Sequence, residues 1–501
     1  MGFLVGLYYN LTGLYWLLFS PVPIGAVAAW LALSAYCACY PALWAVFCWR
    51  MLPSAEPSGS SSLTATNLLV RLDKMSWMQR QLWGLVAAVA WTAMEMLQAH
   101  VLGGFPWNLL GVSQIDLIPL VQLASLTGVY GVSFLIAWVS LSLLITVSQI
   151  ACRPGQPLSW MREIFPAGAI LMLATMLGFL HVQQASSSRD RVRIALIQPS
   201  YQQKEIWEGL AVEDRFQTLL RLSRAALLME PDLLVWPESG IPAPLENPER
   251  IRDFVVENDI SLVFNETDVV TGTGGSAPKY FNAAFVMDPK GRIGDKAHKH
   301  QLVMFGEYFP FLDVFPILSH LSPIGVNFSR GESPGILDST HPALKMGSLI
   351  CFEDLFPSLA RATAQANPDF LINLTNDAWF GRSQAQWQHV RAAAFRAIET
   401  GLPLVRCTNN GITCWIDPWG RIRTGEIASP DDVYKAGFKV IEVPKITPSP
   451  QAPLTRYVRD GDVFGWMCVS MTFSLLFVRE LFRLRGTTHD SNFDTDLLRD
   501  P

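Results

Sequence analysis

Residues 347–354 read Gly347-Ser348-Leu349-Ile350-Cys351-Phe352-Glu353-Asp354, an apolar run that ends on a cysteine with acidic residues just after it. The pattern predicts a buried strand, a tight turn that presents Cys351, and the start of a helix. We expect the N-terminus of that helix to lower the pKa of the thiol and to supply backbone N–H donors. Taken alone, the pattern favours the commoner role of a buried structural cysteine.

Two further polar side chains stand beside predicted strands. Glu238 follows the apolar run 233–235, and a carboxylate where a buried strand meets a loop can act as a base because desolvation raises its pKa. Lys299 precedes another apolar run, where a lysine can stabilise an oxyanion while Glu307 holds it in place. In isolation each has a simpler interpretation, as an exposed loop glutamate or a solvated lysine. The histidines flanking Lys299 have no further His or Cys at ligand spacing, so we expect no metal and no cofactor.

The composition of the whole chain narrows the class of protein. Of 501 residues, 50% are hydrophobic and only 16% are charged, whereas soluble domains carry about 25% charged residues. The apolar content excludes a disordered chain, and 8 Cys is too few for a disulfide scaffold of this length. A net charge of −5 excludes a strongly basic nucleic-acid binder. These numbers favour a membrane protein with a sizeable water-exposed part.

Apolar segments concentrate at the two ends of the chain, and each is about as long as the ~20 residues a helix needs to cross a bilayer. We therefore predict about five transmembrane helices in residues 1–184, a folded domain in 191–447, a C-terminal transmembrane helix in 460–485 and a disordered cytoplasmic tail in 486–501. The six segments are residues 3–20, 22–49, 82–99, 128–151, 164–182 and 463–481.

The distribution of Lys and Arg predicts the orientation of these helices. Segments 50–80 and 152–163 and the tail after residue 484 contain Lys or Arg, and the alternate loop 100–127 contains none. Because basic loops stay in the cytoplasm, residues 191–447 are expected on the outer side of the membrane. In a bacterium that compartment is the periplasm.

Within residues 191–447, short apolar runs alternate with helical patterns, which predicts an α/β layered domain. Strands are expected at 192–198 and 233–236, and two hairpins with Asp-Pro-x-Gly turns at 285–293 and 415–422. The helical patterns cover residues 210–229, 355–365 and 384–400.

Considered together, the three polar sites indicate a protein family far more specifically than each site does alone. Glu238, Lys299 and Cys351, in this order and each at a strand end, resemble the Glu-Lys-Cys triad of the nitrilase superfamily. Further stretches resemble its membrane-bound branch, the apolipoprotein N-acyltransferases. They are Asn376-Asp377-Ala378-Trp379-Phe380-Gly381, Trp387-Gln388-His389, the segment 406–413, Gly104-Phe105-Pro106-Trp107 and Ser113-Gln114-Ile115-Asp116.

The resemblance implies an α/β fold, an αββα nitrilase-type sandwich inserted into a polytopic α-helical membrane domain of the bacterial inner membrane. It implies transfer of an acyl chain from a phospholipid, such as phosphatidylethanolamine, through a cysteine thioester to the α-amine of a diacylglyceryl-cysteine on an apolipoprotein. The enzyme would act as a monomer without a cofactor and without binding nucleic acid.

The resemblance also implies a role for each matching residue. Glu238 would be the general base, Lys299 the oxyanion partner and Cys351 the nucleophile. The supporting residues would be Glu307, Glu353, Phe352 and Trp207, the last matching a mobile-loop tryptophan near the acyl chains.

The chain departs from the family pattern in places. Met304 stands where proline is usual, and Phe352 stands where tyrosine is usual after the cysteine. The first apolar segment resembles the third helix of the usual eight, which predicts six spans. A membrane-tethered nitrilase-type amidase that hydrolyses a small C–N substrate remains the alternative, since the triad alone does not exclude it. Cys407 and Cys414 could form a disulfide or be two separate buried thiols.

Overall fold

The computed structural model describes residues 1–21, 23–52, 66–183, 190–242, 247–271, 277–309, 327–333, 335–424, 433–445 and 455–493. Its N-terminal part is helical. The helices are α1 Gly2–Gly13, α2 Pro23–Met51, α3 Thr66–Lys74, α4 Trp77–Gln98, α5 Ile118–Val121, α6 Ala124–Thr127, α7 Val129–Cys152 and α8 Pro157–Gln183.

Among the described residues, four helices are long and apolar enough to cross a membrane: Gly25–Met51, Val129–Cys152, Leu158–Gln183 and Val463–Arg483. They coincide with four of the six predicted segments. Much of the surface of Leu158–Gln183 and Val463–Arg483 is apolar and exposed, as expected of helices that face lipid.

The other two predicted segments look different. Helix α1 has only 12 residues and is followed by a short 3-10 helix, Tyr15–Phe19. Helix α4 has 22 residues, enough to cross, but it carries Arg80 and Glu95 and is less apolar than the four helices above. Both charged side chains are buried against neighbouring helices. The count of six spans therefore stays a prediction.

The central part of the chain forms two six-stranded sheets. The strands are β1 Arg191–Gln198, β2 Leu233–Val235, β3 Ser261–Val270, β4 Lys279–Met287, β5 Ile293–His298, β6 Ile336–Thr340, β7 Ala343–Ile350, β8 Phe370–Thr375, β9 Leu404–Thr408, β10 Cys414–Ile416, β11 Ile422–Arg423 and β12 Gly437–Pro444. Their orders are β12-β1-β2-β3-β4-β5 and β11-β10-β9-β8-β7-β6. Strands β1 to β3 are parallel, as are β7 to β9.

Apolar side chains from both sheets meet in one core, which includes Ile194 and Val235 from the first sheet and Met346 and Ile372 from the second. Helices cover the two outer faces, so the layers run helix, sheet, sheet, helix. The predicted αββα sandwich is confirmed. The helices of this part and of the C-terminus are α9 Gln203–Trp207, α10 Val212–Leu227, α11 Glu249–Glu257, α12 Pro357–Ala364, α13 Ala385–Thr400, α14 Arg456–Asp460 and α15 Val463–Phe493.

Helix α13 joins the sandwich to the membrane helices. Glu399 on α13 is buried, and its Oε1 accepts the backbone N–H of Val129 at 2.9 Å, in the first turn of α7. Arg396 donates to the same oxygen at 2.9 Å. Burial raises the pKa of Glu399 to about 7, although Arg396 and the Val129 N–H oppose the rise. The carboxylate thus satisfies an N–H that the helix itself leaves without a partner.

Two smaller expectations concern the C-terminal tail, which stays a prediction, and a pair of cysteines. Helix α15 continues to Phe493, past the predicted start of a disordered tail at 486, and residues 494–501 lie outside the described residues. Cys407 and Cys414 are both free thiols. Cys414 lies opposite Arg406 on the neighbouring strand, and Cys407 is the next residue after Arg406. The two thiols therefore point to opposite faces of the sheet, Cys407 to the core between the sheets and Cys414 to the helix layer. This geometry rules out a disulfide between them.

Candidate active site

Strand β7 ends at Ile350, and the next residue begins a 3-10 helix, Cys351–Leu355. Cys351 has a φ of +54°, a left-handed conformation that costs a non-glycine residue about 1–3 kcal/mol and persists only where its surroundings enforce it. The predicted strand and tight turn are therefore present. Cys351 itself is half-buried at the end of the strand.

Lys299 lies directly after β5 between two carboxylates. Its Nζ is 2.8 Å from Glu307 Oε1 and 3.7 Å from Glu238 Oε1, and the side chain is only 1% exposed. Asn282 Nδ2 donates to the same two oxygens, at 3.0 Å each. The other oxygen of Glu238, Oε2, is buried and has no hydrogen-bond partner among the described residues. Glu238 therefore keeps one carboxylate oxygen available for chemistry.

Electrostatics couple these side chains to Cys351. Burial raises the pKa of Glu238, while the Lys299 charge and the nearby Cys351 thiol lower it. Burial would lower the pKa of Lys299, but the neighbouring acidic groups, Glu307 first, raise it above its ordinary value. The three groups are thus close enough to act on one another.

The expectation that Cys351 has a lowered pKa is wrong. Burial and then the Glu238 carboxylate raise the pKa of this thiol, and Lys299 only partly offsets them. The helix after Cys351 has five residues, so its dipole is small beside the neighbouring charges. The thiol therefore holds its proton more tightly than a free cysteine does, and a base must take that proton when the sulfur attacks.

Glu353 connects the loop of Lys299 to the strand of Cys351. Its Oε1 accepts the backbone N–H of His300 at 2.6 Å and of Gln301 at 2.9 Å. Its Oε2 accepts the N–H of Ile350 at 2.6 Å. Burial raises the pKa of Glu353 to about 7, against these N–H donors. Glu353 thereby holds two distant segments of the chain in register at the site.

Residues of loop 100–127 form an aromatic wall beside Cys351. The ring of Phe352 stacks on Phe105 and Trp107 at 6.2 and 6.5 Å between ring centroids. Gln301 Nε2 donates to Gly103 O at 2.8 Å, which ties the loop to the segment after Lys299. The site therefore has one wall built from the membrane part of the chain.

Trp207 is the predicted supporting residue with the least contact to the others. It ends α9, is 36% exposed and packs edge to face on Trp379, with 4.9 Å between ring centroids. No described contact joins it to the triad residues.

Sequence reasoning missed the amides of the site. Asn282 binds both carboxylates, and Asn373 Nδ2 donates to Cys351 O at 3.0 Å. Each interrupts an otherwise apolar strand, and a buried polar side chain in such a strand needs a partner. That signal was available in the sequence. Among the described residues, no group of three His, Cys, Asp or Glu side chains is placed to hold a metal ion.

The two-sheet sandwich with Glu238, Lys299 and Cys351 beside one another at strand ends defines a carbon–nitrogen hydrolase domain, and the family model "Carbon-nitrogen hydrolase" matches residues 193–436. The model "Apolipoprotein N-acyltransferase N-terminal domain" matches residues 1–142. An apolipoprotein N-acyltransferase of Geobacter metallireducens is 33% identical over 94% of this chain and 84% of its own length. The chain therefore belongs to the apolipoprotein N-acyltransferase family.

Two further relatives carry the same name. Apolipoprotein N-acyltransferases of Allorhizobium ampelinum and Rhodopseudomonas palustris are 32% and 29% identical, covering 73% and 96% of this chain and 70% and 85% of their own. A solved amidase of the nitrilase superfamily from Nesterenkonia AN1 is 18% identical and matches 55% of this chain and 95% of its own, with a TM-score of 0.37.

Proposed function

We propose that this protein transfers an acyl chain from a membrane phospholipid, through a thioester on Cys351, to the α-amine of a diacylglyceryl-cysteine at the N-terminus of an apolipoprotein. One observation carries the proposal: buried Lys299 and Glu238 lie 3.7 Å apart beside Cys351, under aromatic rings of loop 100–127. Family membership supports the acceptor, since the relatives are named for it. The protein would act as a monomer without a cofactor.

In the first step Cys351 is the nucleophile and Glu238 the general base. Glu238 Oε2 accepts the thiol proton while the sulfur attacks the ester carbonyl carbon of the phospholipid. Lys299 and the backbone N–H of Phe352 stabilise the oxyanion. As the intermediate collapses, Glu238 returns the proton to the departing glycerol oxygen, which leaves a lysophospholipid and a thioester.

In the second step the acceptor amine attacks the thioester carbonyl. Glu238 accepts a proton from the amine, the same donors hold the oxyanion, and the Cys351 sulfur leaves and regains the proton. Water would compete with the amine for the thioester. The rings of Phe105, Trp107 and Phe352 are placed to exclude it on the membrane side.

The competing function is amide hydrolysis by a membrane-tethered amidase. Incubation of the purified protein with phosphatidylethanolamine and a diacylglyceryl-cysteine peptide is expected to raise the peptide mass by one acyl chain. We expect little free fatty acid, because the thioester forms in a site that excludes water. Release of fatty acid with an unmodified peptide would instead identify a hydrolase.

For the orientation, we propose that the sandwich lies in the periplasm, with the basic loops in the cytoplasm. Protease added to spheroplasts is therefore expected to degrade residues 191–447 and to leave the basic loops intact until the membrane is permeabilised. Protection of the sandwich in sealed spheroplasts, with degradation only after lysis, would reverse this orientation.

A further inference from the structure

A compact group of four ionisable side chains lies beneath the nucleophile. They are Asp354, Asp377, His389 and Arg406, each at most 2% exposed. His389 Nε2 is 2.7 Å from Asp354 Oδ1, and its Nδ1 is 2.8 Å from Asp377 Oδ1. Arg406 reaches both carboxylates, Asp354 through Nη1 and Asp377 through Nη2 at 3.1 Å. Nη2 also lies 2.9 Å from His389 Nδ1.

The charges of this group balance one another. Burial alone would raise the pKa of Asp377, but His389 and Arg406 hold it below its ordinary value. Burial and Arg406 would lower the pKa of His389, but Asp354 and Asp377 raise it. Four ionisable side chains then occupy a space without solvent. Burying an ion costs several kcal/mol. Stability alone therefore does not explain why these four side chains lie together in the interior.

A single amide connects the group to the nucleophile. Arg406 Nη1 donates to Asn373 Oδ1 at 3.0 Å. The other end of that amide, Nδ2, donates to Cys351 O at 3.0 Å and to Leu349 O at 3.1 Å. The Asn373 side chain is thus held at both ends. One of its partners is the carbonyl of Cys351, the residue with the left-handed backbone conformation.

We propose that this buried group holds Cys351 in its left-handed conformation through Asn373, and that His389 is its positioning residue. The proposal rests on the proposed role of Cys351 as the nucleophile. Of the four side chains, His389 alone bridges the two carboxylates without touching Asn373 or Cys351. Its hydrogen-bonded path to the Cys351 carbonyl runs through Arg406 and Asn373. The His389 ring also packs beside Trp107, with 5.6 Å between ring centroids.

The backbone of Cys351 is strained and needs a restraint. A φ of +54° at Cys351 relaxes toward the right-handed region unless neighbouring groups oppose it. Without His389, each carboxylate loses a donor, and Arg406 turns toward the two anions and away from Asn373. The Cys351 carbonyl is then freed and the sulfur moves relative to Glu238. A displacement of about 1 Å at a reacting group can cost about a hundredfold in rate.

The test compares His389→Gln, Asn373→Ala and the double variant as purified full-length protein. Two rates are measured by peptide mass: acylation of Cys351 by phosphatidylethanolamine in mixed micelles, and its alkylation by iodoacetamide. We expect each single variant to lower both rates by about ten- to a hundredfold, with the half-saturating phospholipid concentration unchanged. The double variant should be no slower than Asn373→Ala, because both residues act along one path.

Asp417→Asn is the matched control. Asp417 is a buried carboxylate in the β10–β11 turn, where it accepts the N–H of Arg421 at 2.9 Å, and three strands separate β11 from β7. Its substitution is expected to lower the unfolding temperature and to leave both rates unchanged. If His389→Gln does not fold, Asp377→Asn removes one carboxylate charge of the group at constant volume and takes its place.

Wild-type rates in a folded His389→Gln variant would overturn the proposal, and so would losses that multiply in the double variant. Failure of the proposed function looks different. In that case wild-type Cys351 takes up no acyl chain from phospholipid, whereas the alkylation rates still report whether His389 positions the sulfur.

Discussion

Phospholipid without an acceptor is expected to leave the enzyme carrying one acyl chain on Cys351. The thioester should accumulate because water is kept out and no amine is present to attack it. Intact-mass measurement checks for the added chain, peptide digestion maps it, and neutral hydroxylamine should release it. A diacylglyceryl-cysteine peptide should discharge the chain as N-acyl peptide.

Cys351→Ser is expected to accumulate no measurable acyl-enzyme. A serine hydroxyl is far more difficult to deprotonate than a thiol, and a carboxylate such as Glu238 is too weak a base for it even with a raised pKa. Cys407→Ser is the control, since Cys407 is a free, buried thiol facing the core between the sheets, and it should acylate like the wild type. An acyl chain on another cysteine, or its rapid loss as fatty acid without acceptor, would refute the two-step transfer.

Lys299→Met is expected to slow acylation by about 10²–10³-fold, the usual effect of removing one oxyanion donor. The variant also leaves Glu238 and Glu307 buried without their shared cation. Because the Lys299 charge lowers the pKa of Glu238, its loss raises that pKa further. Glu238 must be ionised to accept the proton. As the pH is lowered, the residual activity of the variant should therefore be lost at a higher pH than the activity of the wild type.

Lys345→Met is the control for this substitution. Lys345 lies near the start of β7, far along the strand from Cys351, and its Nζ donates to Ala366 O at 2.7 Å. It should keep the wild-type rate and pH profile. Lys299→Met retaining more than about a tenth of the wild-type rate would contradict the assignment of Lys299 as an oxyanion donor.

Much of the fold could be predicted because its signals are local. The apolar runs before Glu238 and Cys351 become β2 and β7, and the Asp-Pro-x-Gly turns become the hairpins β4–β5 and β10–β11. Alternation of strand and helix patterns in residues 191–447 indicated an α/β layered domain, and the resemblance to the nitrilase superfamily implied the two sheets. Strand ends, turns and long apolar helices depend on neighbouring residues, so a single sequence is enough to locate them.

The site could be predicted only in part. Lys299 contacts Glu238 and Glu307, and Glu353 binds the segment after Lys299, while their roles stay predictions. Asn282 in an apolar strand indicated the need for a polar partner, but only the packing of β4 beside the loop of Glu238 shows which partner it has. The direction of the Cys351 pKa was predicted wrongly, because it depends on a sum of burial and nearby charges and not on the helix that follows.

The sequence by itself determined which residue types stand at the strand ends and which segments are apolar enough for a membrane. Tertiary structure alone decided that Asp354, Asp377, His389 and Arg406 meet beneath Cys351. These residues come from four separate elements, and no local pattern relates them. Hydrogen bonds and Coulomb forces act through space at a few ångströms, so only the packing of the sheet and its helices brings such charges within reach of one another.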